Sequence, residues 1–112
     1  MKILLLLSLI LLGNLNIDNT DQQIRYCSLR GSVYIATDRA QADFTVYEED
    51  SEAFADFLVY EEENRLYATE EGVWFFVENR GIADFSIFLT QSKGTADFII
   101  AYTDSPTFAG CD

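Results

Sequence analysis

The feature that most constrains this chain is a short unit that recurs six times. In five units a valine or isoleucine precedes an aromatic residue, and in the sixth Ile100 precedes Ala101. The five pairs are Val33-Tyr34, Val46-Tyr47, Val59-Tyr60, Val73-Trp74 and Ile87-Phe88. Successive copies lie 13 or 14 residues apart. Because so short a unit cannot bury its own apolar face, it has to pack against its copies.

A series of alanines recurs along the chain together with these pairs. Four of these alanines open the same tripeptide: Ala42-Asp43-Phe44, Ala55-Asp56-Phe57, Ala83-Asp84-Phe85 and Ala96-Asp97-Phe98. Alternation of apolar and polar residues with period two predicts a strand in each unit, with alanine, phenylalanine and valine facing inward. Polar turns separate the strands. We therefore predict an all-β fold, a compact array of six strand-turn repeats of about 13 residues each.

The middle unit, residues 66–77, departs most from this pattern. Thr69 stands where the other units have aspartate, and one extra residue lies near Gly72. The run Val73-Trp74-Phe75-Phe76-Val77 does not alternate. This predicts a bulge or a change of register in that unit.

Residues 40–47, Ala-Gln-Ala-Asp-Phe-Thr-Val-Tyr, resemble the repeat of a known family. That repeat is Ser-Gln-Ala-Asp-apolar-x-Val-Tyr, and the family is a small bacterial one of unknown function, associated with the septafoil or septoil knot. Gln41 matches the family's glutamine. Phe54, Tyr67, Ile82, Thr95 and Phe108 occupy that position in the other units. The resemblance, from Gly31 to the C-terminus, implies a torus-knotted β fold.

The N-terminus has the pattern of a secretory signal. Lys2 precedes an apolar run over residues 3–12, and polar residues follow. We expect a cleaved signal over residues 1–20, with an uncertain boundary, and one repeat domain over residues 27–111. An uncleaved anchor and a buried first helix are the alternatives. The prediction is export to the periplasm, the extracellular space or the cell surface, without stable membrane insertion after cleavage.

The two cysteines of the chain bracket the repeats. Cys27 precedes the first unit and Cys111 follows the last. In an oxidising compartment such a pair favours a disulfide between the two ends. Two unrelated thiols are the alternative.

The charge of the chain is strongly negative. Nineteen acidic residues against seven basic ones give a formal charge of −12, which argues against nucleic acid as a partner. Residues 48–71 hold ten carboxylates and one cation, Arg65. That segment could bind Ca²⁺, but it lacks a calcium-loop spacing, so a solvated acidic surface is favoured.

Two sets of recurring side chains are candidate sites. The aspartates of the tripeptides, Asp43, Asp56, Asp84 and Asp97, could form a cation-binding ring or could each cap a turn by accepting backbone N–H groups. Recurrence at one position of the repeat favours the structural role. The aromatics Tyr34, Tyr47, Tyr60, Trp74 and Phe88 could form a strip that binds glycan or protein, although cross-strand packing is the favoured interpretation.

Catalytic chemistry has little support in the sequence. The chain has no histidine, and it has no nucleophile-elbow, phosphate-loop or dinucleotide motif. We predict no enzyme activity and no cofactor. The predicted function is a non-catalytic, exported structural or protein-interaction repeat domain. The alternative is a ligand-binding module, for carbohydrate through the aromatic strip or for a cation through the acidic surface.

Overall fold

The computed structural model describes residues 26–111, so the predicted signal segment lies outside the described residues. Within that range the chain forms six strands: β1 (Gly31–Ile35), β2 (Phe44–Glu48), β3 (Phe57–Glu61), β4 (Val73–Val77), β5 (Phe85–Leu89) and β6 (Phe98–Tyr102). A single 3-10 turn follows each strand, and we number these turns 1 to 6: Arg39–Gln41, Glu52–Phe54, Arg65–Tyr67, Arg80–Ile82, Lys93–Thr95 and Pro106–Phe108. The predicted all-β array of six units is confirmed.

The strands are all parallel and close into a barrel in the order β1-β4-β3-β6-β2-β5. Strands that follow one another in the chain are mostly not neighbours, since β5 lies between β1 and β2, and β6 lies between β2 and β3. Every connection except that from β3 to β4, which are neighbours, therefore crosses one intervening strand on the outside of the barrel. Turn 1 accordingly contacts β5, turn 2 contacts β6 and turn 6 contacts β3.

The two ends of the described chain meet between β3 and β4. Gly110 and Leu58 exchange two backbone hydrogen bonds of 2.7 and 2.9 Å, and the Gly72 N–H donates to the Leu29 carbonyl at 2.9 Å. The ends thus fill a seventh place in the ring, at the start of β3 and β4. Counting this place, each strand lies two places around the ring from the strand that precedes it in the chain. The chain therefore circles the barrel twice in passing through all seven places, which is the winding of a seven-crossing torus knot.

A disulfide joins these two ends. Cys27 and Cys111 are bonded through their Sγ atoms across a sequence separation of 84 residues. The predicted pairing is confirmed, and it is consistent with an oxidising, exported location. Because the bond joins the two ends at the seventh place, the ends cannot separate there and unwind the chain.

The register between strands brings the recurring valines and isoleucines beside the recurring phenylalanines in the core. Val33 lies level with Phe85, Val46 with Phe98 and Ile100 with Phe57. A β-branched side chain of one unit therefore packs beside a phenylalanine of another, a combination of small and large groups that fills a narrow barrel. The buried cluster consists of Val33, Val46, Phe57, Val59, Trp74, Phe85, Ile87, Phe98 and Ile100.

The register change expected in the middle unit is present at β4. Gly72 has a positive φ of 80°, and after it Trp74 joins the central cluster, while the preceding Val73 is buried outside that cluster. The Trp74 ring lies 5.6 Å from that of Phe57 and 5.2 Å from that of Phe85, and its indole N–H donates to the Leu29 carbonyl at 3.1 Å. The largest core side chain is thereby tied to the N-terminal segment of the domain.

Candidate binding surfaces

The four recurring aspartates hold neighbouring strands together. Each lies immediately before its own strand, and its Oδ2 accepts a backbone N–H from a neighbouring strand at 2.7–3.0 Å. Its own N–H donates to the carbonyl of that same neighbour at 2.7–3.0 Å. The aspartate-neighbour pairs are Asp43–Ser86, Asp56–Ile99, Asp84–Ser32 and Asp97–Thr45. We call these two-bond contacts the aspartate clamps.

The clamps differ from the turn caps that the sequence suggested. Their partners are 43 or 52 residues away, so they join strands rather than close a local turn. The 3-10 turns have caps of their own. The side chains of Asp38, Asn64, Asn79 and Ser105 each accept an N–H from two residues further along.

Two strands lack a clamp and use the chain ends instead. At the start of β3 the Leu58 N–H donates to the Gly110 carbonyl, and just before β4 the Gly72 N–H donates to the Leu29 carbonyl. The four clamped N–H groups and the two that donate to the chain ends are therefore all satisfied. The clamps and the closed ends perform the same structural task.

The proposed aromatic strip is not continuous. Tyr34, Tyr47, Tyr60 and Phe88 are half-buried on the outer face of the barrel, beneath the crossing connections. The Arg39 guanidinium lies 5.6 Å from the Phe88 ring centre, and the Lys93 ammonium lies 5.5 Å from that of Tyr47. These cations cover two of the rings at cation–π distance.

Trp74 does not belong to the strip, and its assignment there is corrected. The extra residue at Gly72 shifts the alternation of β4 by one, so Trp74 turns inward and is fully buried. A strand has a side-chain period of two, so one inserted residue exchanges its faces.

The acidic side chains are spread over the surface. Among residues 26–111, no three His, Cys, Asp or Glu side chains are grouped so as to hold a metal ion. Lys93 and Glu49 form an ion pair of 2.7 Å. The described residues also contain no helix with the length and apolarity needed to cross a membrane.

The exposed apolar residues concentrate at one position of the unit, the end of each 3-10 turn. Phe54, Tyr67, Ile82 and Phe108 end turns 2, 3, 4 and 6, and Leu66 precedes Tyr67 in turn 3. Between 47% and 79% of the surface of each is exposed. Turns 1 and 5 end instead in Gln41 and Thr95, which are polar.

The winding of the chain places these four apolar turns side by side. Around the ring the connections follow in the order turn 2, turn 6, turn 3, turn 4, turn 1, turn 5. The Arg65 guanidinium of turn 3 donates to the Ile82 carbonyl of turn 4 at 3.5 Å, and that of Arg39 in turn 1 donates to Thr95 Oγ1 of turn 5 at 3.4 Å. We call the set Phe54, Phe108, Leu66, Tyr67 and Ile82 the apolar arc.

Two open grooves lie beside turn 6, and Phe108 lines the first of them. The first, of about 510 Å³, separates turns 2 and 6 and is lined by Glu52, Ala53, Leu58, Thr107, Phe108, Ala109 and Cys111. The second, of about 650 Å³, lies between turn 6 and residues 69–71 and is lined by Arg30, Thr69, Glu70, Glu71, Pro106, Thr107 and Ala109. Both grooves run beside the seventh place, where the ends of the chain are tied.

Sequence reasoning did not find the apolar arc. The available signal was the replacement of Gln41 by apolar residues in four of the other units. Those residues are 13–54 positions apart from one unit to another, and only the strand order makes their turns neighbours.

Comparison with known families identifies the fold. Comparison with curated proteins and with solved structures gave no significant match. A family model described as the 7(1) septoil knot domain matches residues 26–112, which is more than half of the chain. The chain therefore belongs to the 7(1) septoil knot domain family.

Proposed function

We propose that this protein is an exported, non-catalytic protein-interaction domain and that the apolar arc is its contact surface. The observation that carries the proposal is the grouping of Phe54, Phe108, Leu66, Tyr67 and Ile82 on four adjacent turns. Scattered apolar side chains on a surface are ordinary, whereas a contiguous exposed group is typical of an interaction site.

The way the arc is built supports this proposal. The residues that precede the recurring alanine do not pack in the core, so the fold does not require them to be apolar. Gln41 and Thr95 occupy the same position in turns of the same geometry. A role in binding, rather than in folding, explains why four adjacent turns carry bulky apolar groups and two do not.

The barrel would present these groups with little loss of conformational freedom on binding. Each turn is closed by its own backbone bond, from the recurring alanine N–H to the carbonyl of the first turn residue. The turns are also fastened to a closed barrel. A surface held in place before binding loses less entropy when a partner docks.

Site-specific photocrosslinking in the producing organism tests this function. A photoreactive amino acid is placed at Phe54 or Phe108, and in matched controls at Gln41 or Thr95, which occupy the same position of the repeat. We expect a discrete protein adduct from positions 54 and 108 and none from positions 41 and 95. Equal adducts from both sides of the ring, or none from any position, would contradict the proposal.

A further inference from the structure

We infer that the partner of the apolar arc is a basic polypeptide segment that places apolar side chains beside Phe108 and cationic side chains at Glu52, Glu70 and Glu71. This inference rests on the proposed function and specifies its partner. It is argued from the two grooves, from the charges that line them and from the charge of the whole chain.

The first groove supplies the apolar contact. Leu58, Phe108, Ala109 and the disulfide-bonded Cys111 line it, and Glu52 is the one ionisable residue in its lining. Its volume of about 510 Å³ lies within the range of about 300–1,000 Å³ that is usual for ligand sites. A bulky side chain of a partner can therefore be buried here while a neighbouring cation reaches Glu52.

The second groove supplies a further negative charge. Glu70 and Glu71 line it together with Arg30, whose guanidinium donates to the Thr69 carbonyl at 3.2 Å. With two carboxylates and one cation, the lining of this groove has a net negative charge. Since the grooves share Thr107 and Ala109, a single extended segment can lie along both.

The remaining charges make the surface around Phe108 negative. Turn 2 is Glu-Ala-Phe and turn 6 is Pro-Thr-Phe, so neither carries a basic residue. Arg39 and Lys93 lie on turns 1 and 5, on the other side of the ring, whereas Arg65 and Arg80 lie on turns 3 and 4 of the arc but line neither groove. Charge complementarity therefore selects a partner with lysine or arginine next to apolar residues.

A second copy of this chain is a poorer occupant. Two copies that met through the arc would bring together two molecules of formal charge −12, with Glu52, Glu70 and Glu71 of each at the contact. Like charges facing one another across an interface oppose association. An acidic partner protein is disfavoured for the same reason.

Calorimetric titration with designed peptides tests the inference on the purified domain with its disulfide intact. The probe is a short peptide of alternating lysine and leucine, and its twins carry serine for leucine or glutamate for lysine. We expect the lysine-leucine peptide to bind more tightly than either twin, and to bind less tightly as salt is raised.

Matched variants locate the binding. F108S and the triple variant E52Q/E70Q/E71Q should each weaken binding roughly tenfold, because the first removes the apolar anchor and the second the charges. The control E48Q/E61Q/E78Q removes equal charge at the carboxyl ends of β2, β3 and β4, and it should change affinity less than about twofold. Circular dichroism of each variant verifies folding.

Three results would overturn the inference. They are no binding of the lysine-leucine peptide, equal binding of the glutamate twin, and equal weakening by the two triple variants, which would mean that net charge alone attracts the peptide. The photocrosslinking experiment separates these failures from failure of the proposed function. Adducts at positions 54 and 108 with an acidic partner would leave the interaction function standing and refute the basic partner.

Discussion

At the scale of single residues, the aspartate clamps are the contacts whose removal is most informative. The Asp97 carboxylate accepts the Thr45 N–H at 2.7 Å, and Asp97 is an exposed residue directly before β6. Asp97→Ala should lower the free energy of unfolding by about 1 kcal/mol, less than for a buried charged bond because water competes. Urea unfolding monitored by tryptophan fluorescence measures this.

Two companion variants make the Asp97 prediction specific. Asp97→Asn keeps an oxygen acceptor and should lose less stability than Asp97→Ala. Asp104→Ala removes an equal charge from a connection, where no clamp occurs, and should be nearly neutral. If Asp104→Ala were as harmful as Asp97→Ala, charge rather than the clamp would be responsible.

The sequence identified the clamp residues but not their partners. Recurrence of Asp43 and Asp97 at the same position of the repeat was enough to favour a structural role. The spacing of 13 residues says how often a strand occurs, but it does not say that the partner lies 43 or 52 residues away. That distance depends on the strand order, which a local pattern does not contain.

Tyr102 gives the molecule a pH dependence at high pH. Burial, followed by a hydrogen bond to Glu48 and the charges of Glu48 and Glu61, raises the pKa of Tyr102 above its ordinary value of 10.0. The folded protein therefore favours the neutral phenol. The stability that Tyr102 contributes is complete below pH 10 and falls as the pH rises above about 10.

Replacing Tyr102 with phenylalanine should reduce this alkaline loss of stability. Urea unfolding at a series of pH values around and above pH 10 measures the slope, which should be shallower in Tyr102→Phe than in the wild type. A residual slope of the same sign is expected, since burial also raises the pKa of Tyr26. Identical slopes in the two proteins would refute the assignment.

At the scale of elements, the start of β4 is the position that tolerates least change. Gly72 has a φ of 80°, and a Cβ there would lie 2.7 Å from the Leu58 carbonyl oxygen and against the Gly110 nitrogen. Gly72→Ala should cost about 3 kcal/mol or more, because both the backbone conformation and the space exclude a side chain. Thermal unfolding followed by circular dichroism measures this cost.

Gly94 is the matched control for the Gly72 variant. It lies in turn 5, has no positive φ, and a Cβ added there would meet nothing within 4 Å. Gly94→Ala should change stability by no more than about 0.5 kcal/mol. Equal effects of the two changes would show that the meeting of β4 with the chain ends is not tightly packed.

The middle unit shows what periodicity can and cannot predict about an element. The extra residue and the loss of alternation indicated a change of register, and β4 has one. Its consequence for Trp74 was missed, because alignment with the valine-aromatic pairs placed that ring on the outer face. The extra residue before the strand exchanges its faces, so the ring points into the barrel, where its indole N–H donates to the Leu29 carbonyl.

At the scale of the whole molecule, the repeat pattern predicted the number of units and their strand character, but it did not predict their order in space. A unit of 13 residues is compatible with a solenoid, a propeller or a closed barrel. Only the resemblance to the septoil family pointed to the wound arrangement. The apolar arc depends on that strand order, so the repeat pattern could not predict it either.

The disulfide should be the largest single contribution to the stability of the molecule. It closes a loop with a separation of 84 residues, which corresponds to about 4–5 kcal/mol in the chain-entropy model. The double variant C27S/C111S should lose that amount. Removal of the bond also frees the ends that satisfy the Leu58 and Gly72 N–H groups, so the start of β3 and β4 should exchange amide hydrogens first.

The same bond should decide how fast the domain refolds. While Cys27 and Cys111 remain joined, a denatured chain is a closed loop and cannot lose its double winding. A chain whose cysteines are reduced and alkylated has to thread its ends between β3 and β4 again, a step that few proteins require. We therefore expect the oxidised chain to recover its tryptophan fluorescence faster than the alkylated chain after dilution from denaturant. Equal rates, measured at denaturant concentrations that give both forms equal stability, would show that threading does not limit folding.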